Sequence, residues 1–235
     1  MILAAIESSG LVASVAIVAD GVLLAEYTID YKKTQSQTLL PMFEEIVRMT
    51  ELDLRSIDAI AVSKGPGSFT GLRIGSATAK GLGLALDIPL VEVSTLEAMA
   101  FQLYGCGDVI CTMMDARRGQ VYTGLYTFKD GEVFETLRPQ EVTQAFELAE
   151  TINRLGRRVV LLGDGTAVYE DVMRKKLAVP FSFAPAAMSR QRAGSLASLA
   201  AVYYREGETV SADLHSPEYL RLSQAERERL EKEKQ

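Results

Sequence analysis

The strongest constraint on the fold is an order of elements that occurs twice. Each half of the chain reads strand, polar turn, strand, Asp-Gly, strand, helix, strand, Gly-X-Gly, helix. Asp20-Gly21 matches Asp130-Gly131, and Asp-Gly between two apolar runs is a strong signal for a β-hairpin. Gly65-Pro66-Gly67 likewise matches Gly163-Asp164-Gly165. The pattern predicts a structural duplication, in which two α/β domains face each other across a cleft.

The stretch Tyr104-Gly105-Cys106-Gly107 marks the predicted boundary between the two domains. The first domain then covers residues 1–104, and a second, smaller one covers 105–235. In the second we predict a strand from Glu132 to Leu137, a helix from Pro139 to Leu155 and a last helix from Ser189 to Glu206, which can pack back on the first domain. Two tandem βββαβα domains describe the actin-like ATPase superfamily, whose members bind nucleotide between their domains through polar turns and glycine loops.

The stretch from Ser63 to Gly75 joins an apolar strand to a helix predicted over Leu72–Leu86. Thr70 is the predicted N-cap. The free amides of the first turn and the helix dipole can hold an anion there. The alternative is a glycine-rich turn that binds nothing, as in many α/β proteins. A nucleotide in the cleft would meet the two polar loops at these candidate residues: Glu7, Ser8, Ser9, Gly65, Gly67, Gly163 and Asp164.

The helix Leu72–Leu86 contains unusually many small residues. Gly75, Gly81 and Gly83 lie within it, and glycine inside a helix costs roughly 1 kcal/mol relative to alanine. Their presence predicts that another backbone approaches this helix closely. One face is expected to pack on its own sheet, and another is expected to meet a second chain.

Charge and cysteine content exclude several classes of function. The formal net charge of −6 argues against a broad nucleic-acid-binding face, which needs a basic patch. Two cysteines are too few for a disulfide framework, so a reducing cytoplasm fits best. No apolar run reaches the roughly 18 residues that a membrane helix needs.

Few residues are suited to catalysis by this chain alone. The single histidine, His215, stands in a polar stretch and is predicted to lie at the surface; no His-x-x-x-His pair exists. A metallopeptidase is therefore disfavoured, and we expect neither catalytic residues nor a bound transition metal. Glu7, Asp115 and Asp164 could hold Mg²⁺ or could be ordinary turn acids, which leaves a stand-alone phosphotransferase or ATPase as the alternative function. The charged run Gln224–Gln235 predicts an exposed helix or a disordered tail.

Four motifs together resemble the bacterial TsaB (YeaZ) family over essentially the whole chain. They are Ser63-Lys64-Gly65-Pro66-Gly67-Ser68-Phe69-Thr70-Gly71-Leu72-Arg73-Ile74-Gly75, Val93-Ser94-Thr95-Leu96, Met114-Asp115-Ala116-Arg117-Arg118-Gly119-Gln120-Val121-Tyr122 and Pro217-Glu218-Tyr219-Leu220-Arg221. This chain departs from the family pattern at Glu7-Ser8-Ser9, where members often have Asp-Thr-Ser, and at Gln35, where many have histidine. The first departure weakens the transfer of nucleotide-phosphate contacts to this chain.

The resemblance implies a non-catalytic partner of TsaD, the enzyme that transfers threonylcarbamoyl to a tRNA adenosine beside the anticodon. It implies a further partner, the ATPase TsaE, a homodimer when TsaD is absent, and contact with tRNA only through the complex. ATP or ADP would bind, if at all, at the partner interface or in the cleft. The implied interface is a bundle of the first two long helices of each partner. On this chain the expected interface residues are Leu39, Met42, Phe43, Ile46, Phe69, Arg73, Ala77, Lys80 and Gly81.

Overall fold

The structure is a computed structural model that describes residues 1–31 and 34–221, so the predicted tail Gln224–Gln235 lies outside the described residues. The first unit begins as a meander of strands and continues with alternating helices and strands. Its elements are β1 (Ile2–Glu7), β2 (Ala13–Ala19), β3 (Val22–Ile29), α1 (Gln35–Met49), β4 (Ala59–Gly65), α2 (Phe69–Leu86), β5 (Leu90–Ser94) and α3 (Thr95–Phe101).

The second unit repeats the same order of elements. They are β6 (Val109–Arg117), β7 (Gln120–Lys129), β8 (Val133–Gln144), α4 (Ala145–Leu155), β9 (Val159–Leu162), α5 (Gly165–Lys176), β10 (Phe181–Phe183) and α6 (Ala193–Arg205). The strands are ordered β3-β2-β1-β4-β5 in the first sheet and β8-β7-β6-β9-β10 in the second. The two orders correspond strand for strand, which confirms the predicted duplication and the mixed α/β class.

Both predicted Asp-Gly hairpins are present. Asp20 and Gly21 have positive φ angles of 49° and 82°, and Asp130 and Gly131 have 54° and 78°. Two successive left-handed residues match the right-handed twist of the flanking strands, which is why Asp-Gly is favoured there. Each turn places the third strand of its sheet antiparallel to the second.

The helix predicted from Pro139 is wrong at its start. Strand β8 continues through Pro139 to Gln144, and α4 begins at Ala145. Proline cannot donate a ladder hydrogen bond and is tolerated where a strand ends its sheet. Among the described residues, β8 is an edge strand, because it pairs only with β7. The pairing of β7 with β8 also shifts register around Leu125.

Helix α1 turns its apolar side towards its own sheet. The side chains of Leu39, Met42, Phe43 and Ile46 are all buried in a cluster with β1, β2 and β4. Their assignment to a partner interface is therefore wrong for the folded unit, because these groups already form its core. Helical spacing identifies an apolar face but does not say whether the chain itself covers that face.

The last helix, α6, lies on the first sheet rather than the second. Its small residues pack against β1 and β2, on the face opposite to α1 and α2. After α6, Val210 pairs with Leu90, the first residue of β5. Helix α6 and the residues after it up to Val210 thus follow the second unit in sequence but lie on the first unit in space.

Helix α3 joins the two units. It packs against β4 and β5 of the first sheet and against β6 and β7 of the second. Leu96, Met99 and Ala100 share an apolar cluster with Ile110 and Tyr126 of the second sheet. Within the described part of the chain, no helix is long and apolar enough to cross a membrane.

Candidate functional site

A cleft of about 710 Å³ lies between the two units. Three of the predicted nucleotide contacts, Ser9, Gly67 and Asp164, line it. The other lining residues come from both units and from the C-terminal segment: Gly10, Leu11, Gln35, Ser68, Phe69, Thr70, Met114, Asp115, Ala116, Arg117, Arg118, Tyr122, Glu218, Tyr219, Leu220 and Arg221. The predicted cleft is thus present, but Glu7, Ser8, Gly65 and Gly163 do not line it.

The first polar turn is bonded to itself. Glu7 is buried, and its Oε1 accepts hydrogen bonds from the backbone amide and the hydroxyl of Ser9, each at 2.6 Å. Burial raises the pKa of the Glu7 carboxyl above its ordinary value, while these hydrogen bonds oppose the rise. The Ser8 hydroxyl donates to Gly71 O at 2.8 Å. The turn therefore uses its polar groups to hold the start of α2.

The start of α2 is pressed against this turn. The Ser68 amide donates to Ser9 O at 2.6 Å, and the Ser68 hydroxyl accepts from the Gly71 amide. Ser68 is therefore the N-cap of α2, and the prediction of Thr70 is wrong. A Cβ at Gly67 would lie 2.2 Å from Ser9 O, which explains why the loop needs glycine there. The Ser68 amide is bonded within the chain and is therefore not free for an anion.

Two acidic residues of the second unit, Asp115 on β6 and Asp164 in the second glycine loop, line the cleft. Asp164 lies before α5; its Oδ1 is buried and has no hydrogen-bond partner among the described residues. Burial raises the pKa of Asp164, Asp115 raises it further, and Arg190 opposes the rise. Asp115 Oδ1 accepts from the Arg117 amide at 2.8 Å and from the Tyr169 hydroxyl at 2.9 Å. Asp115 and Asp164 both line the cleft, so the second unit contributes two acidic residues to it.

Helix α2 presents a second candidate surface on its outer side. Arg73, Ala77 and Gly81 are exposed along one face, while Phe69 and Lys80 are half-buried at its edges. A Cβ at Gly71, Gly75 or Gly83 would lie within 3 Å of another atom of the chain. At Gly81, by contrast, no heavy atom of the described residues would lie within 4 Å.

Three of the expected interface residues, Phe69, Arg73 and Lys80, already make contacts within the chain. The Arg73 guanidinium lies 3.9 Å from the centroid of the Phe69 ring, and its Nε donates to the Tyr219 hydroxyl at 3.2 Å. Lys80 Nζ donates to the carbonyl oxygens of Asp213 and His215 at 2.9 and 3.0 Å. Sequence reasoning missed this role of the C-terminal segment; only the motif Pro217–Arg221 pointed to it.

Comparison with known proteins gives a consistent answer. The family model described as TsaD, tRNA N6-adenosine threonylcarbamoyltransferase, matches residues 23–229. The tRNA threonylcarbamoyladenosine biosynthesis protein TsaB of Bacillus subtilis is 34% identical over 236 residues, covering 100% of both chains. The chain belongs to the TsaB family. The resemblance inferred from the four motifs is thereby confirmed.

Solved structures agree with this family assignment. A Pseudomonas aeruginosa protein described as similar to the peptidase YeaZ superposes with a TM-score of 0.81 at 29% identity, over 94% of this chain and 99% of that one. The ROK hexokinase of Thermus thermophilus superposes with a TM-score of 0.51 at 12% identity, over 88% of this chain and 100% of that one. The second likeness concerns the fold alone, and it agrees with the predicted actin-like architecture.

The expected surface position of His215 is wrong. Its side chain is buried, and Nδ1 lies 2.6 Å from Glu92 Oε1, while Nε2 has no partner among the described residues. Within residues 1–31 and 34–221, no group of three or more His, Cys, Asp or Glu side chains is placed to hold a metal ion. His215 therefore serves to anchor the C-terminal segment to β5.

Proposed function

We propose that the chain is a non-catalytic subunit that binds TsaD, together with TsaE, for the threonylcarbamoyladenosine modification of tRNA in the cytoplasm. Family membership supports the pathway. The observation that carries the finer proposal is the face of α2 that runs from Arg73 through Ala77 to Gly81. Glycine at position 81 costs roughly 1 kcal/mol relative to alanine and gains nothing within the described chain. A second backbone packed on this face would account for it.

Core packing supports the same assignment for α2 rather than for the apolar face of α1. Leu39 and Ile46 are occupied by the fold, whereas Leu40 on α1 and Leu84 on α2 are 54% and 61% exposed. Leu84 follows Gly81 by three residues on α2, so it adds exposed apolar surface to the proposed contact face. The same surface would form the homodimer when TsaD is absent, and tRNA would be contacted only through the complex.

The experiment is a binding titration of the purified chain with TsaD, in the presence of TsaE and Mg·ATP. Ala77→Glu places a carboxylate in the proposed contact, and Ala167→Glu, on the exposed face of α5, is the matched control. An unpaired buried charge costs about 3 kcal/mol or more, so Ala77→Glu should weaken binding at least about 100-fold. The control should bind like the wild type. Equal binding by both variants, or separate elution of wild type and TsaD at micromolar concentration, would contradict the proposal.

A second candidate function is nucleotide binding in the cleft. The acidic residues Asp115 and Asp164, which line the cleft, support it. Mg·ATP or Mg·ADP would need these carboxylates for its metal ion, because Glu7 is bonded to Ser9. Titration calorimetry of the isolated chain with Mg·ATP should give heat that Asp164→Asn removes. Absence of heat at millimolar nucleotide would eliminate this candidate, and with it a stand-alone phosphotransferase.

A further inference from the structure

The C-terminal segment of residues 213–221, here called the clasp, crosses from the first unit to the second. It follows α6 and passes along α2, the end of β4 and the hairpin between β6 and β7. It does so without regular helix or strand, through a turn at residues 213–214 and a bend at residues 220–221. Because the segment has no regular helix or sheet hydrogen bonding, individual side-chain and backbone contacts hold it in place. Each of these contacts can be tested separately.

The first unit holds the clasp at several points. Lys80 Nζ bonds two of its carbonyl oxygens, and the buried His215 ring meets Glu92. The Glu218 amide donates to Lys64 O at 2.6 Å, which continues the backbone pairing at the end of β4. A Cβ at Gly65 would lie 2.5 Å from Glu218 O, so the glycine loop is shaped around the clasp at this position.

The second unit holds the far end of the clasp. Gln140, on β8, donates its Nε2 to Glu218 Oε2 at 3.2 Å, and its Oε1 accepts from the Ser94 hydroxyl at 2.7 Å. Arg221 donates to the carbonyl oxygen of Ala116, beside the cleft. Gln140 thus connects the end of β5, the clasp and the second sheet.

We propose that the clasp fixes the angle between the two units and that its release opens the cleft. The apolar packing around α3 joins the units on one side. The clasp bridges them beside the cleft, through polar contacts to partly exposed groups. Such contacts are individually weak, so the closed arrangement is favoured only while they act together. The cleft lining includes Glu218, Tyr219, Leu220 and Arg221, so movement of the clasp changes the cleft directly.

The test exchanges the two members of the contact between Gln140 and Glu218 in the full-length chain. Gln140→Glu keeps an acceptor for Ser94 and sets a carboxylate against Glu218. Combining Gln140→Glu with Glu218→Gln restores an amide–carboxylate pair with its direction reversed. Arg138→Ala, which removes an ion pair to Glu141 on the same strand, is the control for a change in β8 alone.

The measurement is the distance between spin labels on the two units. Met49→Cys on α1 and Val168→Cys on α5 are 60% and 57% exposed and lie outside the cleft lining. The labels are introduced with Cys106→Ser, and the labelled protein is diluted into unlabelled protein so that self-association does not contribute. Cys111 is buried and is left in place.

We expect Gln140→Glu to lengthen the mean distance and broaden its distribution, and the double variant to return both towards the wild type. Arg138→Ala should leave the distribution unchanged. A chain ending at Ser216 should show the lengthening relative to a chain ending at Arg221, which isolates the clasp from residues 222–235. An unchanged distribution in both Gln140→Glu and the shorter chain would overturn the proposal. A lengthening that the double variant does not reverse would overturn the role of this contact.

Discussion

The close packing of α2 on the first polar turn makes a quantitative prediction for two glycines of one helix. A Cβ at Gly71 would lie 2.2 Å from Ser8 O, a backbone atom of a buried turn. Relief requires the turn to move by about 1 Å, since ordinary carbon–oxygen contacts lie beyond about 3.2 Å. At Gly81 an added Cβ meets no atom of the described residues within 4 Å. Alanine at these two positions therefore has opposite effects.

The magnitudes follow from the groups that must shift. Moving the turn strains the hydrogen bonds from Ser68 N to Ser9 O and from Ser8 Oγ to Gly71 O, in a region with no free space. Overpacking of this kind costs about 1–3 kcal/mol, and each weakened bond costs about 1 kcal/mol more. Replacing a helical glycine by alanine stabilises the helix by about 1 kcal/mol. We expect Gly71→Ala to lower the unfolding free energy by about 2–4 kcal/mol and Gly81→Ala to raise it by about 1 kcal/mol.

Urea unfolding followed by far-ultraviolet circular dichroism measures both variants against the wild type. The comparison is direct because the two substitutions are chemically identical and lie in the same helix. If Gly71→Ala is as stable as the wild type, the start of α2 is not held against Ser8 as described. Gly81→Ala also tests the proposed function, because the variant should be more stable and yet bind TsaD more weakly than the wild type.

Three further predictions concern other parts of the molecule. Burial raises the pKa of Glu7, so the stability that this carboxyl contributes is complete below its ordinary pKa and is lost as pH rises through the folded-state pKa. The difference in unfolding free energy between Glu7→Gln and the wild type should therefore grow as pH rises above the ordinary pKa of a carboxyl group, and a constant difference would refute the assignment. Ile46→Ala should cost about 2–5 kcal/mol of stability because Ile46 lies in the core, whereas Leu40→Ala should change stability little and weaken TsaD binding, as urea unfolding and a binding titration would show. Burial raises the pKa of Cys111 to about 12, so a thiol reagent at pH 8 should modify Cys106 in the folded protein and reach Cys111 only after denaturation; equal rates in the folded state would count against the structure.

Local chemistry made much of the fold predictable. The Asp-Gly turns at 20–21 and 130–131 adopt backbone angles that few other dipeptides tolerate, so each Asp-Gly pair predicts a hairpin. The repeated order of elements then indicated two corresponding sheets. Pro139 misled the prediction because proline is compatible with both a helix start and a strand at the edge of a sheet. Which of these applies depends on whether the neighbouring strand is there to pair.

The candidate site was predictable in part. Asp164 and Ser9 were placed correctly in the cleft, because turns that follow corresponding strands of a duplicated fold face each other. Glu7 was not, since its bond to Ser9 consumes the carboxylate within the turn. His215 was misplaced because a polar neighbourhood in sequence says nothing about a distant partner such as Glu92.

The sequence by itself determined most of the elements, the duplication and the family, because hairpin turns, helical spacing and glycine motifs are short-range features. Tertiary structure alone decided which helix faces are covered. Leu39 on α1 is buried by the first sheet, whereas Gly81 on α2 has no neighbouring heavy atom of the described residues within 4 Å of an added Cβ. It also decided that Glu218 and Arg221 bridge the two units. Such contacts join residues about 80 to 150 positions apart, as between Arg73 and Tyr219 or Gln140 and Glu218, and no local pattern encodes them.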